Sequence, residues 1–386
     1  MGEFEEKVRD AFDAELKTAQ ARPGLRQRVI ANAVGTPRRR AFGFGAWMTP
    51  PRLALVGAAA AVLVVAGVGI RVATSQRTPA VAQHSPTPAA VLAFGKLPAP
   101  QFHPPTGLGS GGGGPTVVPY FGPATMTWSG QLPHVPSSAP VYRFSLPTPA
   151  DEDAFAARLG ARLQGSGGLP GSRTYSGPDG FIMFIGQDPV ANEPVFIMNV
   201  QASPSGGQPV NEAGARAAAD AELAHLGLTP SWSFSVQVST FTPVGQSAPI
   251  YTFTYQRVIK LPGGLTAGEV DGNGDPSGIQ VMVDANGNVL RLAGPLRLAE
   301  QSAKYPIRSG SSVTRDAISA PPVFPDLGPA PTVTLTKATL VYTVTRSGNT
   351  GYIEPAYLFT GTFSDHGATS EKRVLVPALP PGAVSP

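Results

Sequence analysis

Beyond residue 116 the chain alternates apolar and polar positions with a period of two, broken by a few runs at helical spacing. The stretch "APVYRFSLPTPADEDAFAARLGARLQ" (139–164) predicts a strand and then a helix. Thr148 is placed as its N-cap, Pro149 at its first position and Asp151 in its first turn, with Phe155, Leu159 and Leu163 on the buried face. "FIMFIG" (181–186) and "PVFIMNVQ" (194–201) read as strands. "NEAGARAAADAELAHLGL" (211–228) reads as a helix capped by Asn211, lined by Ala215, Ala219, Leu223 and Leu226, and ended by Gly227. Three further strand patterns follow in "SFSVQVST" (233–240), "IYTFTYQRV" (250–258) and "GIQVMVDANGNVLRL" (278–292). The last is a hairpin closed by Asn286-Gly287, a pair suited to a two-residue type I′ turn, with Asp284 placed to accept nearby backbone amides.

A third stretch holds "KYPIRS" (304–309), a short helical piece at Ser312 to Ser319, "TVTLTKATLVYTVTR" (332–346), "YIEPAYLFTGTFS" (352–364) and "KRVLVPAL" (372–379). Its aromatic and branched residues stand at alternate positions, as an antiparallel sheet with one covered face requires. The expected fold class is α+β, with repeated helix plus antiparallel-sheet units at 116–205, 206–300 and 301–380 after one transmembrane helix.

The pattern ahead of residue 116 is different. Leu53 to Ile70, "LALVGAAAAVLVVAGVGI", carries no charge over eighteen residues, and as a helix it is roughly 27 Å long, enough to cross a bilayer. Secretory h-regions are shorter, so a transmembrane helix at 53–73 is expected rather than a cleaved signal. Arg38, Arg39, Arg40 and Arg52 precede the run, whereas only Arg71, Arg77 and Lys96 follow it before Arg143. The positive-inside rule then places residues 1–52 in the cytoplasm and everything after the span outside it. In "GEFEEKVRDAFDAELKTA" the residues Phe4, Val8, Phe12 and Leu16 recur every four positions among acids and bases, which predicts an amphipathic helix. A second short helix is expected after Arg22, with Pro23 at its first position. Two helices make too small a core to stand alone, so a partner or the membrane surface is expected to supply the missing burial; this stripe is the candidate partner-binding surface, and the alternative is a juxtamembrane helical tail that only fixes topology and touches anionic lipid.

Composition changes the picture in two places. Thr74 to Pro140 holds 13 Pro and 9 Gly, and residues 74–115 are expected to form a linker because such composition buries too little to offset its ordering entropy. Residues 1–52 carry ten Lys/Arg against six Asp/Glu, and the remainder carries nineteen of each. The formal charge of +4 is therefore an N-terminal feature ahead of an apolar run, which argues against a nucleic-acid patch. Cysteine is absent, which excludes thiol nucleophiles, disulfides and cysteine zinc sites.

The order of a small helical N-terminus, one span and an external domain, together with "RPGLRQRV" (22–29), resembles membrane-bound anti-sigma factors, without the zinc-binding His/Cys motif of one large class. Residues 211–292, ending in "VMVDANGNVLRL", resemble the PepSY module. The stretch with "EPAYLFTGTF" and "VLVPAL" is similar to the external domains of YycH/YycI-type regulators, also single-span proteins with PepSY-like folds. The resemblance implies regulation of a membrane partner and not catalysis. The expected partners are the lipid bilayer, a cytoplasmic regulator such as a sigma factor or histidine kinase, and an extracytoplasmic protein or cell-wall ligand. An anchored scaffold or cell-wall-binding protein with no signalling role is the alternative.

Candidate chemistry is sparse. "DGNGDPSG" (271–278) spaces Asp271, Asn273 and Asp275 as a calcium loop does, yet Pro276 takes the place of the required Gly and Met282 that of the bidentate carboxylate. "GLGSGGGG" neither follows a strand nor opens a helix, so no phosphate loop is expected. The five histidines (84, 103, 134, 225, 366) are scattered, and His225 suits a helix C-terminus. Tyr120, Phe121 and Trp128 are either an aromatic binding strip or part of the first strand of the folded domain. No catalytic, cofactor or metal residue is assigned.

Overall fold

The computed structural model describes residues 92–104, 117–166, 171–200, 210–243, 248–327, 330–365 and 368–385, all within one compact unit. The apolar run Leu53–Ile70 and the stripe of Phe4, Val8, Phe12 and Leu16 lie outside the described residues. Among the described residues no helix is long and apolar enough to cross a membrane.

The elements are β1 (Val118–Tyr120), β2 (Thr125–Trp128), β3 (Ser138–Ser145), α1 (Pro149–Arg158), β4 (Arg162–Ser166), β5 (Arg173–Ser176), β6 (Ile182–Asp188), β7 (Glu193–Asn199), α2 (Glu212–His225) and β8 (Phe234–Phe241). They continue as β9 (Ile250–Lys260), β10 (Thr266–Val270), β11 (Gly278–Val283), β12 (Val289–Pro295), β13 (Leu298–Pro306), α3 (Ser311–Ile318), β14 (Thr332–Leu335), β15 (Lys337–Ser347), β16 (Thr350–Asp365) and β17 (Ala368–Pro377).

This overturns the expected α+β class of repeated helix-plus-sheet units. The described chain is mostly β, with three α-helices against seventeen strands. Fifteen of those strands belong to one mixed sheet. The pairings responsible are long-range: β12 bonds antiparallel to β7, and β10 bonds parallel to β15. Residues of all three expected stretches therefore share one hydrogen-bonded ladder. Periodicity reports which face of a strand is apolar but not which strand lies beside it.

One half of the sheet runs β8-β9-β11-β12-β7-β6-β5-β4 in antiparallel order. α1 and α2 supply Phe155, Ala215, Ala219 and Leu223 to a core shared with Tyr175, Met183, Phe196, Phe253, Val281 and Leu292. Thr148 caps α1 in a capping box with Asp151, and Asn211 caps α2 through Gly214 N. α1 ends at Arg158, so Leu163 lies in β4 and is exposed, contrary to its expected place on the helix.

The other half is the β15-β16-β17 meander, with β3 and β17 taking successive stretches of β16. The run Leu340 to Thr345 is buried on both faces, not on the single face expected. Leu340, Tyr342 and Val344 face a core closed by Val313 and Ala317 of α3 and by Leu335 of β14, while Val341 packs with Val270 and Ala356 on the other side. Gly361 lets β14 cross β16, since a Cβ there would stand 2.2 Å from the Thr334 carbonyl oxygen. Residues 92–104, within the expected linker, are packed: Leu97 is fully buried with Val141, Tyr305 and Leu379, and Phe102 lies edge-on to Phe121. Apolar residues spaced between the prolines provide the burial that the bulk composition hides.

Candidate functional site

The hairpin of β11 and β12 closes differently from the expected two-residue turn. Gly287 has φ +82°, whereas Asn286 keeps a negative φ. Gly287 N donates to Asp284 O and Asp284 N to Asn288 O, and the pairing shifts between Met282 and Val283. This is a type I turn followed by a glycine bulge. Its cause is Asp284, whose Oδ1 accepts from the amides of Asn286 and Asn288, each at 2.8 Å, and whose Oδ2 accepts from Asn288 Nδ2. The turn is scaffold.

The loop at 271–278 holds its oxygens inward. Asp271 Oδ1 accepts from Asn273 N and Asp275 N at 2.9 Å, and Arg373 Nη1 reaches Asp275 Oδ1 at 2.8 Å and Asn273 O at 2.6 Å. The Arg373 guanidinium thus engages oxygens of two of the residues that the calcium-loop spacing would have offered to a cation. Among the described residues no cluster of three or more His, Asp or Glu side chains is arranged to hold a metal. Tyr120 packs on Phe363 and Trp128 on Phe359, with Phe121 buried. These rings belong to the packing of the sheet rather than to a strip.

The concentration of chemistry is elsewhere, at the junction of the two halves of the sheet. Arg297, in the connection between β12 and β13, bonds Glu193 of β7 through Nε at 2.5 Å and Nη2 at 2.7 Å. The same guanidinium bonds Glu269 of β10 through Nη1 at 3.0 Å and through Nη2. All three side chains are nearly sealed from solvent, at 6% exposure for Arg297 and 1% for each glutamate. Two carboxylates on one buried cation leave a surplus negative charge. Burial accordingly pushes Glu193 up to about 7 against the pull of Arg297, with Glu269 and Asp188 adding to the rise. Beside this triad, Arg257 of β9 forms a two-pronged pair with Glu300 at 2.6–2.7 Å and lies over the rings of Tyr142 and Trp232.

A second buried acid stands on β16. Glu354 is fully buried, and Thr345 of β15 donates to its Oε1 at 2.5 Å. Its Oε2 has no hydrogen-bond partner among the described residues, and burial pushes the carboxyl up to about 8. On β17, Lys372 Nζ donates to Gly122 O at 2.5 Å and lies 5.4 Å from the Tyr120 ring centroid. Its burial lowers the ammonium to about 8.

Burial moves the protonation of Glu193, Glu354 and Lys372 toward neutral pH, and all three are closed to solvent. They can take up a proton and alter the fit of the strands they tie, without touching a substrate. Reading along the chain misses them because Glu193 and Arg297 are 104 residues apart. The available signal was a lone charge inside an apolar strand, as in "YIEPAY" and "EPVFIMN", which demands a partner without naming it.

No family model and no curated protein matches the chain. Solved structures similar to it include an uncharacterized protein from Eubacterium rectale, at 8% identity and a TM-score of 0.32, covering 67% of this chain and 90% of that one. Another is the C-terminal domain of Bacillus megaterium YpeB, at 11% identity and a TM-score of 0.22, covering 60% and 99%. Neither likeness carries the function assigned below.

Proposed function

We propose that the chain is a single-span bacterial envelope protein that regulates by binding, with its N-terminus in the cytoplasm and its β unit outside the membrane. The observation that carries this reading is the charge-free run Leu53–Ile70, set between a basic flank and a Pro/Gly-rich stretch. The amphipathic stripe of Phe4, Val8, Phe12 and Leu16 supports a role in which the cytoplasmic segment docks a regulator, a sigma factor or a histidine kinase. The resemblance to PepSY-like, YycH/YycI-type external domains points the same way. Glu193 and Glu354, whose protonated forms burial favours, support an external unit whose packing responds to its surroundings.

Replacing Phe4, Val8 and Phe12 together by Glu is expected to abolish co-purification of the cytosolic regulator while membrane insertion persists. Unchanged recovery of that partner contradicts the docking role. Deleting residues 4–34 separates this reading from an anchored scaffold, which would keep its phenotype.

A further inference from the structure

Four strands form the free edges of the large sheet among the described residues: β1, β4, β8 and β13. Three of them are blunted. β1 is three residues long and contains Pro119. β4 carries Arg162 and a register shift next to Gly165. β13 carries Glu300 and Lys304, a register shift after Leu298, and Ala299 with φ +49°. Short length, proline, charge and bulges are the devices that keep sheet edges from pairing.

β8 has none of them. Phe234–Phe241, "FSVQVSTF", is eight residues without charge, proline or register shift, and it pairs β9 along its whole length. Val258 N donates to Ser233 O, whereas Arg257 N donates to Ser277 O on the opposite side. Alternation then directs the backbone groups of Ser235, Gln237 and Ser239 toward β9, and those of Phe234, Val236, Val238 and Thr240 outward. Val236 and Val238 lean on the α2-covered core, Phe234 is 39% exposed, and Gln237 is exposed.

We infer that β8 is the dimerisation edge of this protein and pairs antiparallel with β8 of a second copy about a two-fold axis through Gln237. The segment Ser235-Val236-Gln237-Val238-Ser239 reads the same in both directions. In this register every outward backbone group meets an outward group of the other copy: Val236 faces Val238, and Phe234 faces Thr240. About eight backbone hydrogen bonds form. The valines of both copies fall on the same face as the α2 layers, so two apolar seams become one. The Ser and Gln side chains meet on the other face, where no like charges oppose each other. An isologous contact of this kind closes on itself and leaves no new edge.

The test uses the full chain in detergent, whose lack of cysteine makes single substitutions clean. Residues at a non-hydrogen-bonded antiparallel position have Cα atoms about 4.5 Å apart, within disulfide range. Gln237→Cys is therefore expected to oxidise almost completely to a covalent dimer, while Thr240→Cys, far from its symmetry mate, gives only traces. Val238→Pro removes an outward amide without touching a bond to β9, so it is expected to preserve the circular dichroism spectrum and halve the mass measured by light scattering. A monomeric mass for the unmodified chain overturns the inference, as does equal cross-linking at 237 and 240. So does a monomer whose Val236 and Val238 amides exchange slowly, because another part of the same chain would then cover the edge.

Discussion

Glu354 lies in a strand whose neighbours on the same face are Ala356 and Leu358, and one of its carboxyl oxygens has no partner among the described residues. Its proton is held up to about 8 in the fold against an ordinary 4.5. The folded state therefore binds more protons than the unfolded chain between those values, and stability falls as pH rises through that window. At about 1.4 kcal/mol per pH unit the full effect is on the order of 5 kcal/mol at most. Glu193, raised to about 7, acts in the same direction over a narrower window. Lys372 acts oppositely, since an ammonium lowered to about 8 makes stability rise above that pH toward the ordinary value for lysine. Thermal melts from pH 5 to pH 8 should show the midpoint of the unmodified chain falling, and that of Glu354→Gln falling distinctly less. Parallel curves for the two proteins would contradict the assignment of a buried proton to Glu354.

Elements are joined here by contacts that a local reading does not reach. Arg297 clamps the start of β7 to β10 across 104 and 28 residues of chain. Removing one member of a buried ion cluster leaves the others uncompensated, at about 3–5 kcal/mol. Arg297→Met is expected to lower the unfolding free energy obtained from urea titration by that order, whereas Glu193→Gln, which replaces a carboxylate whose charged form burial already disfavours, costs less. Equal losses would mean that the triad is not one electrostatic unit. Gly361→Ala should also destabilise, because the new methyl group meets the Thr334 carbonyl at the crossing of β14 over β16. What could be read from the sequence was local: the Thr148 and Asn211 caps, the apolar line of α2, and most strands. What could not be read was which strands adjoin. The β12–β7 and β10–β15 pairings turn expected separate units into one sheet. The Asn286-Gly287 turn differs from the expected two-residue form for another reason, since Asp284 holds three donors and selects the bulged form.

In the whole molecule a packed β unit follows a segment expected to cross a membrane. Residues 92–104 are part of that unit, anchored by Leu97 and Phe102, so the expected tether is shorter than its composition suggests. A contact that displaced these residues would uncover Tyr305, whose hydroxyl bonds Phe94 N and Gly95 O, and the apolar cluster around Leu97. Labelling by a membrane-impermeant maleimide reads out the proposed orientation of the chain, because the chain has no cysteine of its own. In intact cells Ser311→Cys, on the exposed start of α3, is expected to be labelled, and Ala19→Cys to react only after lysis. Labelling of Ala19→Cys in intact cells, or protection of Ser311→Cys until lysis, would contradict that orientation.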